Sequence, residues 1–201
     1  MTIKRWAWSS AALALVAGVA ISSALAGTAR PAAGEKQQLQ STLVKDIAIA
    51  RAATAKYVSN LGLAKDNGYG IITKMIPNMG YHYMNPNVKG FNPAKPPILV
   101  YEHQGGTWQL GAVEWVFTSK PSTPPLPGAK YGSFGAGCHY ADGSYVPADA
   151  QSACPTTAPQ TGAKFSFWHP LLITMHLWLW YPNPNGLFAS YNPLVSPFNN
   201  G

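Results

Sequence analysis

The chain has 201 residues, a formal charge of +7, five histidines and two cysteines, and only 10% of its residues are charged. That length suits one domain once the N-terminus is set aside, and its scattered lysines and arginines form no basic run that would support nucleic-acid binding. No stretch after residue 26 is long and apolar enough to span a bilayer, since Leu171 to Leu179 is too short.

Met1 to Arg5 carry two positive side chains, Trp6 to Ile21 form an alanine-rich apolar run, and Ala24-Leu25-Ala26 ends it. This order of basic, apolar and small residues reads as a secretory signal peptide over residues 1–26. Cleavage after Ala26 leaves about 175 residues and removes Lys4 and Arg5 from the positive charge. The expectation is a secreted or cell-envelope protein whose partners are a small ligand or an envelope polymer. An uncleaved membrane anchor is the alternative reading of the same run.

Residues 27–39 read as a flexible leader, and 40–201 as a single domain. From Ser41, Leu43, Ile47, Ala50, Thr54, Tyr57 and Leu61 recur as one helical stripe, which predicts a helix over about residues 40–60 ending near Asn60 and Gly62. A short helical turn through Ala64 to Asn67 follows. The period then changes to two, and strands are expected at Gly80–Met84, Pro97–His103, Trp108–Phe117 and Leu172–Trp180. Gln104-Gly105-Gly106-Thr107 joins the second and third of these as a hairpin in which His103 pairs with Trp108. In simple register Leu99, Tyr101, Leu110, Ala112 and Glu114 share a face. A bulge at Gly111 would flip everything beyond it. In the last strand, alternation puts Thr174, His176, Trp178 and Trp180 on one face and Ile173, Met175, Leu177 and Leu179 on the other.

Four Asn-Pro pairs, at Asn85, Asn92, Asn183 and Asn192, read as turn initiators that end strands. Residues 119–165 read as a long loop rich in proline and glycine. Cys138 and Cys154 both lie in it, and in an exported chain that even count predicts a disulfide restraining it.

A few polar residues stand out inside these apolar strands. Glu114 sits within Ala112-Val113-Glu114-Trp115-Val116, where a carboxylate is costly unless it is paired, hydrogen-bonded or bound to a metal. His82 lies in an aromatic strand, and His176 lies between Met175 and Leu177. Two imidazoles and one carboxylate from three strands suit a divalent transition metal with open positions, with copper, zinc or iron left open. The plainer alternative is an internal hydrogen-bond network in a structural envelope protein. Glu102 joins the cluster only if the Gly111 bulge exists, as a fourth ligand. Tyr83 and His169 are candidates for the outer shell, while His103 and His139 carry less weight. The tryptophans suggest a third reading, an aromatic-lined module for a glycan or small ligand, although most aromatics in a small β-rich domain are core. No G-x-S-x-G, P-loop, G-x-G-x-x-G or H-E-x-x-H signature occurs, so no reaction is indicated.

Several blocks together resemble a family of small exported bacterial proteins of unassigned function. They are Asn78-Met79-Gly80-Tyr81-His82-Tyr83-Met84-Asn85-Pro86, Leu99-Val100-Tyr101-Glu102, Leu110-Gly111-Ala112-Val113-Glu114-Trp115, and His176-Leu177-Trp178-Leu179-Trp180 with Asn183-Pro184-Asn185-Gly186 and Asn192-Pro193. The resemblance spans about residues 40–195. It implies that His82, Glu102, Glu114 and His176 occupy the family's polar positions, and the long cysteine loop departs from the family's shorter pattern. The fold expected is α+β: a long N-terminal helix packed on a mostly antiparallel β-sheet or two-layer β core.

Overall fold

The computed structural model describes residues 33–195. The expected signal peptide, and the leader up to residue 32, fall outside the described residues. The fold is α+β, with one long helix and two antiparallel sheets.

Helix α1 runs Ala33–Thr54, so it begins inside the segment read as leader. Its first turns are exposed and carry no apolar stripe, which is why the sequence pattern shows the helix only from Leu43. From there the stripe packs: Leu43 and Ile47 touch the core, and Ala50 and Thr54 are buried. A 3-10 turn, Ala55–Tyr57, leads to a second helix, α2 (Leu61–Asp66), where the Asn60 side chain caps the Leu63 N–H at 2.9 Å.

The large sheet contains strands β1 (Gly70–Ile76), β2 (Gly80–Met84), β3 (Ile98–Gln104), β4 (Thr107–Phe117), β5 (Gly132–Phe134) and β9 (Leu172–Trp178). Their spatial order is β1-β2-β3-β4-β9-β5. The small sheet is built from β6 (Gly137–Tyr140), β7 (Tyr145–Pro147) and β8 (Phe165–His169), in the order β7-β6-β8. Residues 119–165 are therefore not a structureless loop. They hold β5 to β7 and the first residue of β8, and the Cys138–Cys154 disulfide ties β6 to the segment ahead of β8.

The β3–β4 hairpin turns at Gly105 and Gly106, both with positive φ (58° and 76°), the backbone a two-residue type I′ turn requires. His103 pairs with Trp108, and then the register shifts: Tyr101 lies opposite Leu110 but Val100 lies opposite Ala112. Gly111 is the extra residue of a bulge. The simple register is overturned beyond it, because the bulge moves Ala112 and Glu114 off the face of Leu99 and Tyr101. Val113 and Trp115 join that face instead. The freed Gly111 carbonyl accepts the N–H groups of Leu179, Trp180 and Tyr181 at 3.2, 3.0 and 3.3 Å. This ends β9 at Trp178, so Trp180 leaves the face of His176. Its indole N–H bonds Thr54 at 3.0 Å, and the Arg51 guanidinium lies 4.2 Å over its ring.

One face of the large sheet packs against the helices. Leu99, Tyr101, Leu110, Val113, Trp115 and Leu177 meet Ala50, Tyr57, Leu61 and Ala64 there. The small sheet lies over part of the other face. His139 Nδ1 bonds the Ile72 carbonyl of β1 at 2.6 Å, the Lys74 N–H bonds the Gly143 carbonyl at 2.9 Å, and Lys74 pairs with Asp142 at 3.0 Å. At its other end β8 runs directly into β9. All four Asn-Pro pairs form turns in which the asparagine side chain accepts the N–H two residues on, at 2.8–3.0 Å. Proline has no N–H of its own, so the next donor along the chain is the one available.

Candidate metal centre

The face opposite the helices reads in rows across the strands. One row is His82, Val100, Ala112 and Trp178; the next is Met84, Ile98, Glu114 and His176. Glu114 and His176 are direct cross-strand partners, and His82 stands one row along on β2. The bulge at Gly111 is what turns Glu114 to this side.

His82, Glu114 and His176 are 3%, 4% and 2% exposed, and each presents one donor atom within 4.8 Å of the other two. Glu114 Oε2 is 3.5 Å from His82 Nε2, and Oε1 is 3.7 Å from His176 Nε2. Both separations exceed the roughly 2.7–3.2 Å of a made hydrogen bond. They are close to the spacing of about 3.4 Å between two ligands that lie about 2.1 Å from one tetrahedral ion. His176 has no hydrogen-bond partner on either ring nitrogen. His82 does have one, since its Nδ1 lies 2.8 Å from the Thr73 hydroxyl. That contact fixes the ring and, with Nδ1 as donor, leaves the Nε2 lone pair toward the cluster.

Burial governs the electrostatics. It pushes Glu114 up to about 8. It lowers His82 to about 3, with help from neighbouring His176 and His139, and lowers His176 to about 4. Near neutral pH the metal-free trio is uncharged: one protonated carboxyl and two neutral imidazoles, both able to act as ligands.

A cavity lies between the sheets, with Thr73, Thr174 and Val116 beside the trio and Phe134, His139, Phe167 and His169 on the side of β5 and the small sheet. It leaves about 70 Å³ for the centres of water-sized molecules. One water needs roughly 10–15 Å³ by that measure, so there is room for several exogenous ligands.

The other sequence candidates fall elsewhere. Glu102 does share the face of Glu114, as the bulge requires, but it stands four residues along β3 from Ile98, roughly 13 Å at strand spacing. It is held by the Tyr181 hydroxyl and is no ligand of this cluster. Tyr83 alternates with His82, so it belongs to the opposite, helix-facing core against Tyr101 and Trp108. His103 stacks on Trp108 at the hairpin turn. His169 lines the cavity, and so does His139, to which the sequence reading gives little weight. The signal for His139 is alternation: Cys138 and Trp168 pair on one face of the small sheet, which leaves His139, Phe167 and His169 for the other. Trp108, Trp115, Trp168, Trp178 and Trp180 are all buried or half-buried.

No family model, curated protein or solved structure matches the chain.

Proposed function

We propose that the protein binds a divalent transition metal through His82, Glu114 and His176. The unpartnered state of His176 carries the reading. A structural network would close hydrogen bonds between these groups, whereas here two ring nitrogens stay unbonded at 2% exposure and the carboxylate stands off at metal-ligand spacing. An unsatisfied buried polar group costs about 1–3 kcal/mol, so the fold gains nothing from this arrangement unless a ligand fills it. Two imidazoles and a carboxylate suit copper, zinc or iron over magnesium or calcium. Three protein ligands leave coordination positions open toward the cavity, where an exogenous ligand could reach the ion.

The disulfide fits an oxidising compartment, and no helix among the described residues is long and apolar enough to cross a membrane. Together with the N-terminal pattern, the disulfide supports placing the protein outside the cytoplasm, in the medium or the envelope, and the motif blocks alone support grouping it with the exported bacterial family they resemble. The aromatic-platform reading has less support, because no tryptophan among the described residues is exposed. The apolar and aromatic cavity walls suit a small ligand seated beside the metal better than a sugar on an open face.

Chelator-stripped protein reloaded with copper, zinc or iron(II) and desalted tests the reading by metal content. A stoichiometric ion that is lost in His82→Ala and in His176→Ala, with the fold retained by circular dichroism, is expected. Absence of bound ion from the wild type with all three metals would overturn it.

A further inference from the structure

The small sheet brings two more histidines to the cavity. His139 lies on β6 and His169 ends β8, diagonal to each other across the pair in which Gly137 faces His169 and His139 faces Phe167. Their ring centroids are 5.0 Å apart. Gly137 leaves the space that the Tyr145 ring occupies: a Cβ there would come within 2.3 Å of it. The Tyr145 ring in turn stacks beside His169.

Both imidazoles are tied down in the same way. His139 Nδ1 lies 2.6 Å from the Ile72 carbonyl and His169 Nδ1 lies 2.6 Å from the Pro170 carbonyl. A carbonyl only accepts, so in each ring Nδ1 carries the proton and Nε2 keeps the lone pair. Metal-binding histidines use this same arrangement, donating one ring N–H to the backbone so that the other nitrogen is oriented as ligand. His169 Nε2 is buried without a hydrogen-bond partner in a residue only 7% exposed. Two such rings from separate strands of one sheet line the cavity of the trio, and neither belongs to the group of three donors that converge within 4.8 Å. Three protein ligands already complete a site that keeps a position open.

We propose that His139 and His169 hold a second transition-metal ion, which makes the cavity a two-metal centre with His82, Glu114 and His176 contributed by the large sheet and the imidazole pair by the small one. This rests on the reading of the trio as a metal site. Two neutral imidazoles suit copper and zinc, among the ions that imidazole favours, with the remaining positions filled by water or a small exogenous ligand. Ions held by these residues would supply Lewis-acid polarisation to an oxygen-donor ligand in the cavity.

The test is the number of ions bound. The full chain is stripped, loaded separately with copper(II) and zinc(II), passed over a desalting column and assayed for metal and protein. Two ions per chain are expected with at least one of the metals. The His139→Gln/His169→Gln double variant should hold one, with the affinity of the remaining ion within about threefold of wild type. One ion per chain in the wild type, unchanged in that variant, overturns the second site and leaves the first standing. Loss of all metal in that variant with circular dichroism unchanged also overturns it, because the pair would then complete a single centre. No copper or zinc in the wild type overturns the second site, and if iron(II) fails to bind as well, the trio reading itself falls. The wild-type count requires no variant, so it decides the matter even if the double variant misfolds.

Discussion

The two faces of the large sheet are made by alternate residues of the same strands, yet they obey different rules. On the helix-facing side polar groups are spent on hydrogen bonds: Tyr101 donates to the Tyr57 carbonyl and Tyr69 to the Pro96 carbonyl, each at 2.8 Å. Trp115 Nε1 and the Tyr131 hydroxyl are the exceptions, buried there without a partner. On the cavity side the buried polar atoms stay unbonded in His176 and in His169 across the gap. The first face spends most of its polar groups on the fold, and the second keeps the nitrogen donors that the proposed metal site requires.

Each prediction presses on that division. The largest effect belongs to the bulge. Deleting Gly111 would restore unbroken alternation and send Glu114 into the helix-facing core while Trp115 turns into the cavity, because a one-residue slip exchanges the faces of everything beyond it. The expected result is a chain with no cooperative unfolding transition. A deletion variant with wild-type stability would show that the bulge does not set the faces.

Next is a contrast between the faces. Leu99→Ala removes a fully buried core side chain and should cost about 2–5 kcal/mol in denaturant titration, while leaving the metal content of the folded fraction unchanged. Glu114→Gln should do the reverse, abolishing metal while shifting stability by less than about 1 kcal/mol. If both variants lose stability equally, the faces are not separable.

The disulfide tests whether the small sheet stands apart from the helix-backed core. It closes a sequence separation of 16 residues, and its removal in Cys138→Ser/Cys154→Ser should cost about 3 kcal/mol on the chain-entropy account. Hydrogen exchange should quicken in β6 to β8 more than in β3 and β4. Uniform acceleration would mean that the two sheets open together.

A smaller, signed effect comes from pH. Burial holds His82, His139 and His176 below the ordinary value of 6.5, so the stability they confer on metal-free protein is complete above 6.5 and drains away as pH falls toward 3–4, and His169 is lowered in the same direction. Glu114 lies above its ordinary 4.5, so its contribution is complete below 4.5 and is lost as pH rises toward about 8. Metal-free protein should be most stable near pH 6–7, and Glu114→Gln should flatten only the alkaline side. An alkaline limb unchanged by that substitution would contradict the carboxyl's burial as a proton-bearing group.

Much of the fold is legible in the sequence. Strand β2 is read at its observed bounds, and the Gly105-Gly106 hairpin and the helical stripe from Leu43 to Leu61 are read because local chemistry and burial agree there. The disulfide follows from the even cysteine count and the compartment expected from the N-terminal pattern. The residues of the trio can be named as well, since a charged or titratable side chain inside an apolar alternation has few inexpensive explanations. Strand β1 is harder: two register shifts against β2, between Ile71 and Thr73 and between Thr73 and Ile76, blur its period. The small sheet is harder still. Its strands are three to five residues long, set among prolines and glycines, and held by pairing with distant segments instead of by their own pattern. For that reason His139 is undervalued from sequence, and the choice between Glu102 as ligand and Glu102 as distant neighbour needs the row spacing of the sheet.

The central claim is that the cavity face is kept for a ligand at some expense to stability. His176→Leu tests it most directly, as melting temperatures of wild type and variant measured side by side, metal-free and with added metal. Without metal the variant should melt at or above the wild type, because it removes two unbonded buried nitrogens worth about 1–3 kcal/mol each in desolvation. With copper or zinc added, the wild type should gain several degrees and the variant none. A variant that melts well below the wild type without metal, together with a wild type that metal does not stabilise, would instead make the trio structural glue and contradict the account.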